Sequence, residues 1–121
     1  MKPLNKNELS YFLERFDNFK DAELRSFSII SPIEMKLTIA TQDSARAFDW
    51  ITIELSFYTV TDANLVKDDK LHLIDMNDGI SIIENDNQFA FAIGACYNIS
   101  TIKNSILYVI CKNLKYKEGS F

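Results

Sequence analysis

Apolar and polar residues alternate strictly through Trp50-Ile51-Thr52-Ile53-Glu54-Leu55-Ser56-Phe57. Ile51, Ile53, Leu55 and Phe57 fall on one face and Thr52, Glu54 and Ser56 on the other, the two-residue period of a half-buried β-strand. The pattern predicts a long strand from Trp50 to Val60. Ile33, Met35, Leu37 and Ile39 predict a second strand just before it. Glu23 to Ile30 predicts an earlier one, whose apolar phase slips between Leu24 and Phe27 as it does at a bulge or bend. Ser31-Pro32 ends that strand, because proline cannot donate to a ladder. Leu71 to Ile74, Ile80 to Ile83 and Gln88 to Ile93 predict shorter strands. Ile106 to Cys111 is a nearly continuous apolar run, which predicts a central strand covered on both faces. Lys115 to Phe121 reads as a frayed or edge-like end.

Only the start of the chain has a helical period. Leu9, Phe12, Leu13 and Phe16, with Phe19 as an extension, recur at spacings of three and four. Asn5 is the expected N-cap, with Glu8 as its capping-box mate and Leu4 and Leu9 at the staple positions. The joints between elements are polar. They are Thr41 to Arg46 leading into Ala47-Phe48, Asp62 to Lys70, and Asn98 to Asn104. Asp78-Gly79 and Asn85-Asp86-Asn87 signal tight turns, the first of type I′ or a related hairpin type. The sum is an α+β fold: an N-terminal helix packed on a strongly bent, mostly antiparallel sheet of seven or eight strands, open-barrel or sandwich-like. Residues 1–121 form a single domain on this reading.

Composition narrows the class. The chain is 47% hydrophobic and 25% charged, which excludes a disordered protein. Apolar runs are too short for a membrane span, and the first residues lack a secretory signal, so the expected compartment is cytoplasmic. Cys96 and Cys111 are then expected as buried, reduced thiols. With His72 the only histidine, a four-ligand Cys/His zinc site within one chain is impossible.

Charge is uneven. Residues 62–86 carry two basic and seven acidic side chains, against four basic and one acidic in residues 87–121. Lys112, Lys115 and Lys117 are too few for a nucleic-acid face. The acidic segment suits a basic partner, or else consists of solvated turn residues.

No motif carries recognisable catalytic chemistry. Asp75-Met76-Asn77-Asp78-Gly79 misses the calcium-loop spacing, since glycine comes fifth and position twelve is Asp86. Gly79, Gly94 and Gly119 are the only glycines, which excludes phosphate-cradling loops. Asn98-Ile99-Ser100 matches the glycosylation sequon, which without secretion has no consequence. His72 is the one general-base candidate, with Asp75, Asp49 or Glu54 as possible carboxylate mates. Phe89-Ala90-Phe91-Ala92 alternates large and small. That pattern suits either a barrel lining or the N-terminal helix packed over the alanines. Trp50 breaks the apolar parity of its strand and points away from the main core, where it anchors a partner or is covered by a second layer.

Two segments carry a family resemblance. Phe19-Lys20-Asp21-Ala22-Glu23-Leu24 enters the first strand, and Asp49-Trp50-Ile51-Thr52-Ile53-Glu54-Leu55-Ser56-Phe57 leads on to Val60. A Trp-led strand of this form resembles those of small immunity proteins of bacterial toxin systems. The resemblance implies a non-enzymatic, cytoplasmic protein that neutralises a toxin by binding it, and it transfers no site residues. The leading expectation is therefore a protein-binding module for a basic partner, with Trp50, Asp62, Asp68, Asp69, Asp75 and Asp78 as its binding residues. No cofactor, metal, nucleic acid or membrane is expected. The alternative is a small barrel for an apolar ligand, walled by Phe89, Phe91, Trp50 and Phe57, and an enzyme ranks third. The protein is expected as a monomer, or as a homodimer paired through the first or the C-terminal strand.

Overall fold

The computed structural model describes all 121 residues. In chain order the strands are β1 (Lys2–Pro3), β2 (Glu23–Ser31), β3 (Glu34–Asp43), β4 (Asp49–Asn64), β5 (Ile80–Asn85), β6 (Gln88–Ile93) and β7 (Tyr108–Ser120). Helix α1 (Lys6–Arg15) precedes β2, and a one-turn helix α2 (Ile99–Ile102) precedes β7. The fold is α+β. The seven strands make one antiparallel sheet in the order β2-β3-β4-β7-β6-β5, with β1 also on β7, and the sheet does not close.

The alternation around Trp50 is the spine of this sheet. Ile51, Ile53, Leu55 and Phe57 are buried in the main core together with Met35, Leu37 and Ile39 of β3. The phase slip in β2 is real: its register on β3 shifts between Leu24 and Ser26, which keeps both Leu24 and Phe27 buried. A sharper crease crosses β4 and β7. Thr59 has φ 57°, and the β4–β7 register shifts between Val60 and Asp62. Opposite it, the buried positions of β7 step from Val109 and Cys111 to Leu114 and Tyr116, so that strand changes face as well. Bulges of this kind bend a strand and increase its twist. The bent sheet then wraps α1, whose Phe12 packs edge to face on the C-cap residue Phe16 at 5.3 Å and lies 4.8 Å from Tyr116.

Several expectations are corrected. Asn5 makes no side-chain cap bond; its amide reaches only the Glu8 carboxylate, at 3.1 Å. Leu4 and Leu9, the staple pair, are both buried in the main core. The helix stops at Arg15, and Phe19 reaches the core from a separate 3₁₀ turn, Asp17–Phe19. Ile33 belongs to the β2–β3 turn and is exposed. Leu71 to Leu73 is not a strand but part of a 3₁₀ turn, Asp68–Leu73, that lies against β2 and buries Leu71. The Asp78-Gly79 turn joins that segment to β5 instead of making a hairpin. Asn77 and Asp78 have no positive φ, so it is not type I′.

The carboxyl end is not frayed. Lys115 to Ser120 continues β7, a strand flanked by β4 on one side and by β6 and then β1 on the other. Leu114 and Tyr116 point inward between Lys115 and Lys117. Up to Tyr116 the strand has neighbours on both sides, whereas Lys117–Ser120 pairs with β4 alone and keeps the expected open edge. Asn98 to Asn104, expected as a polar link, contains α2, which has the full capping box: Asn98 Oδ1 accepts the Thr101 N–H at 2.9 Å, and Thr101 Oγ1 accepts the Asn98 N–H at 3.2 Å. Ile102 of α2 shares a second small core with Ala90, Ala92 and Ile110 on the other face of the sheet. The alanines of β6 do make room for a helix, but the helix is α2 and not α1.

Candidate functional site

Gly79 shows how tightly the lower end of the sheet is built. Its φ is +69°, and a Cβ there would stand 1.9 Å from the Asn18 carbonyl oxygen. Asp21 N–H donates to the Met76 carbonyl at 2.8 Å. These two contacts clamp the turn after α1 onto the segment before β5. The clamped backbone is unusual: Asp17, Asn18, Phe19 and Asp21 all have φ between 52° and 60°, and across the cleft Ala47 and Phe48 have φ 55° and 64°. A side-chain-bearing residue in this region costs on the order of 1 kcal/mol or more. Phe19, fully buried between Phe12 and Phe16, offsets part of that cost. The result is a turn that turns Phe19 inward and leaves Asp17, Lys20 and Asp21 on the surface.

A cleft of about 320 Å³ opens beside this turn, lined by Glu14, Arg15, Asp17, Lys20, Asp21, Phe48 and Trp50, among others. Phe48 is 63% exposed and Trp50 38%. Trp50 lies 5.6 Å from Phe121, and the Arg25 guanidinium stacks over the Phe121 ring at 4.8 Å. A second cleft of about 450 Å³ shares Asp21 and Ala22 with the first and adds Glu23, His72 and Asp75. On the other side of the turn a third, of about 290 Å³, brings Lys20 against Asp78, Cys96 and Tyr97. Six carboxylates, those of Glu14, Asp17, Asp21, Glu23, Asp75 and Asp78, thus ring one turn. Of these only Glu23 has an ion pair, to Arg25 at 3.7 Å.

The floor of the first cleft is held by a charge network. Arg15 donates to Asp43 through Nε at 2.9 Å and Nη2 at 2.6 Å, and to Glu118 Oε1 at 2.7 Å. Asp43, fully buried, also accepts the Ala45 N–H at 2.9 Å. Arg46 closes the ring with Nη2 3.1 Å from Glu118 Oε1. Hydrogen bonds from Arg15 hold the Asp43 and Glu118 carboxyls below the usual carboxylate range, and the bond to Asp43 raises Arg15 in turn. Through Nε and Nη2 this guanidinium binds β3 and β7, so it fastens the helix to the sheet.

The residues singled out by sequence divide between this region and others. Trp50 and Asp75 line the joined clefts, and Asp78 the third. Asp68 accepts the Phe27 N–H of β2 at 2.6 Å, a structural bond, and Asp69 is exposed beside it. Asp62 lies elsewhere, in a cleft with Asn85, Asp86 and Lys103, and accepts the Tyr108 hydroxyl at 3.2 Å. The acidic segment 62–86 is therefore not one surface. Glu14, Asp17, Asp21 and Phe48 were missed by sequence reasoning, and one signal marked two of them. Glu14 and Asp17 stand at the carboxyl end of α1, where the helix dipole disfavours negative charge by roughly 0.3–1 kcal/mol each. Acids placed there do not serve the helix.

Other candidate chemistry finds less support. His72 is exposed and shares its cleft with Asp75, and no hydrogen bond orients its ring. Glu54 is paired with Lys36 at 3.7 Å. The carboxylates around the turn do not form a metal-ligand set. Phe57 and Phe91 are fully buried, their rings 5.3 Å apart in the main core, while Trp50 is on the outer face, so the four aromatics do not wall one cavity. Both cysteines are free thiols, and burial pushes Cys111 up to about 12. No helix is long and apolar enough to cross a membrane. Comparison with known proteins adds no relative: no family model, no curated protein and no solved structure matches the chain.

Proposed function

We propose that the chain is a non-enzymatic protein-binding module, immunity-like in kind, that takes a basic partner into the acidic clefts beneath Trp50. The observation that supports this is the ring of carboxylates at one turn, five of them without an ion pair, beside two exposed aromatic rings. Burying such carboxylates against lysine or arginine exchanges solvation for charge-assisted hydrogen bonds, which strengthen as water leaves the interface. The aromatic wall adds attraction for a guanidinium, worth roughly 0.5–2 kcal/mol per stacked cation. The chain's own Arg25 over Phe121 illustrates the preference on the same wall.

The test is affinity capture from the native cell extract at low salt, with the wild type and an Asp21→Lys/Asp75→Lys variant side by side. A lysine- or arginine-rich protein is expected in equal amount on the wild type, released by raised salt and missing from the variant. Identical protein sets on both, or a retained partner that is not basic, would overturn the reading.

A further inference from the structure

The polar lining of the first cleft is left mostly with oxygens to offer. Gln42 Nε2 donates to the Phe48 carbonyl at 3.3 Å, which leaves its Oε1 over as an acceptor. Ser44 Oγ gives its one proton to the Arg15 carbonyl at 2.7 Å, so it too can only accept a further bond. Glu14, Asp17 and Asp21 add carboxylates that are exposed and in no ion pair. Thr41 is the telling member. It is only 2% exposed, lines this cleft, and makes no side-chain hydrogen bond within the chain. No fully buried side-chain oxygen lacks a partner, so the sliver of Thr41 that stays open includes its hydroxyl. A hydroxyl kept this dry without a bond is unfavourable in the free chain and gains when a donor enters. The chain's own cations on this lining do not meet these oxygens. Arg15 turns Nε and Nη2 to Asp43 and Glu118, and Lys20 is exposed and in no ion pair. Phe48 and Trp50 add flat apolar surface. At about 320 Å³ the cleft is at the lower end of small-ligand pockets, so it suits one side chain and not a segment.

We infer that this cleft is an arginine site: it takes a single arginine side chain of the basic partner, an assignment that rests on the protein-binding reading above. The guanidinium donates to the Asp21 carboxylate and to the Thr41 and Gln42 oxygens, with its face on Trp50. The lining selects a guanidinium over an ammonium. Five N–H donors in one plane meet several separate acceptors at once while the face of the group packs on a ring. Lysine brings a compact, strongly hydrated ammonium that has no face to stack. The chain's own arginines behave in this way on either side of the cleft. Arg25 lies over Phe121, whose ring is 5.6 Å from Trp50, and Arg15 lies over Phe16 at 4.7 Å while it donates to two carboxylates.

Trp50 is the only tryptophan of the chain, so its emission reports on the cleft directly. The full chain is titrated at low salt with acetyl-glycyl-arginyl-glycine amide and, separately, with the lysyl counterpart. The arginyl peptide is expected to change Trp50 emission saturably, and the lysyl peptide to bind about tenfold more weakly or worse. Two variants check the contacts. Asp21→Asn removes the charge at a position of φ 60°, which asparagine tolerates, and is expected to weaken the arginyl peptide by about tenfold. Thr41→Val removes a hydroxyl that has no partner in the free chain, so the melting temperature is expected to hold or rise while the peptide binds several-fold more weakly. Equal affinity for the two peptides, or variants that bind the arginyl peptide like the wild type, would overturn the arginine assignment and leave the basic-partner reading to its own capture experiment. If neither peptide changes Trp50 emission while capture still returns a basic protein, this inference alone falls. If the arginyl peptide binds as expected and capture returns no basic protein, the arginine site stands and the protein-binding reading falls.

Discussion

Arg15 is the residue on which the most structure depends. Its guanidinium joins α1 to the ends of β3 and β7 through two carboxylates, one fully buried. Removing one member of a buried ion pair leaves an uncompensated charge, at a cost of about 3 kcal/mol or more. Arg15→Met is expected to lose about that much stability at pH 7, measured by urea unfolding. Arg46→Ala, on the exposed side of the same ring, is expected to lose under about 1 kcal/mol. The pH dependence follows from the direction of the shifts. Asp43 and Glu118 have lowered pKa values in the fold, so their stabilisation is present above the usual carboxylate range, near pH 4, and is lost as pH falls through their folded values. The gap between wild type and Arg15→Met should therefore narrow steadily on acidification below about pH 4. A gap that stays constant into strong acid would show that Arg15 acts by packing on Phe16, over which its guanidinium lies at 4.7 Å, and not by charge.

At the level of elements, the two helix starts make opposite claims on their asparagines. Asn98 has the reciprocal bonds of a capping box and begins a helix of only four residues. Asn5 has no cap bond and begins one of ten. Asn98→Ala is expected to lower stability by about 1 kcal/mol, near 4 °C in melting temperature, and Asn5→Ala by a few tenths. Equal losses at both sites would mean that the Asn98 bonds contribute nothing beyond those of solvent. These helices also show what was legible in the chain. β3 and β4 were readable because one face is buried and the other wet, which writes a clean period of two. The bulge in β2 was readable as a slipped phase. Leu71-His72-Leu73 imitates that period, but the wall it builds against β2 depends on Asp68 meeting the Phe27 N–H, a contact between residues far apart in sequence. The first part of β7 was readable as the apolar run ending at Cys111, but its second half was hidden because lysines alternate with only Leu114 and Tyr116, too few apolar residues to outweigh its terminal position. The candidate site was less legible still. Trp50, Asp75 and Asp78 were visible as an off-phase aromatic and as turn acids, whereas their gathering with Glu14, Asp17 and Asp21 rests on the clamp between Asn18 and Gly79.

For the whole molecule, the distribution of charge matters more than its sum of −4. Carboxylates gather at the lower end of the sheet, around the Asp17–Ala22 turn, while Asp86 stands at the tip of the β5–β6 turn, in a separate cleft with Asp62 and Lys103. Exposed charges act over about one Debye length, some 8 Å at physiological salt, so these two ends steer a partner independently. The clefts also locate the charge reversal that best reports binding. Asp68→Lys would break the bond to Phe27 and confuse stability with association. Asp17→Lys/Asp21→Lys alters exposed carboxylates that make no side-chain hydrogen bond, and because both stand at left-handed φ its melting temperature is compared with the wild type's first. With a basic partner in hand, stopped-flow association at low salt is expected to slow by about tenfold or more in this variant, while Asp86→Lys leaves the rate within about twofold. Raising salt should bring all three proteins toward one common basal rate, because screening removes the steering and not the contact surface. If Asp86→Lys slows association as much as the paired variant, the partner responds to net charge alone and the clefts have no special part in its approach.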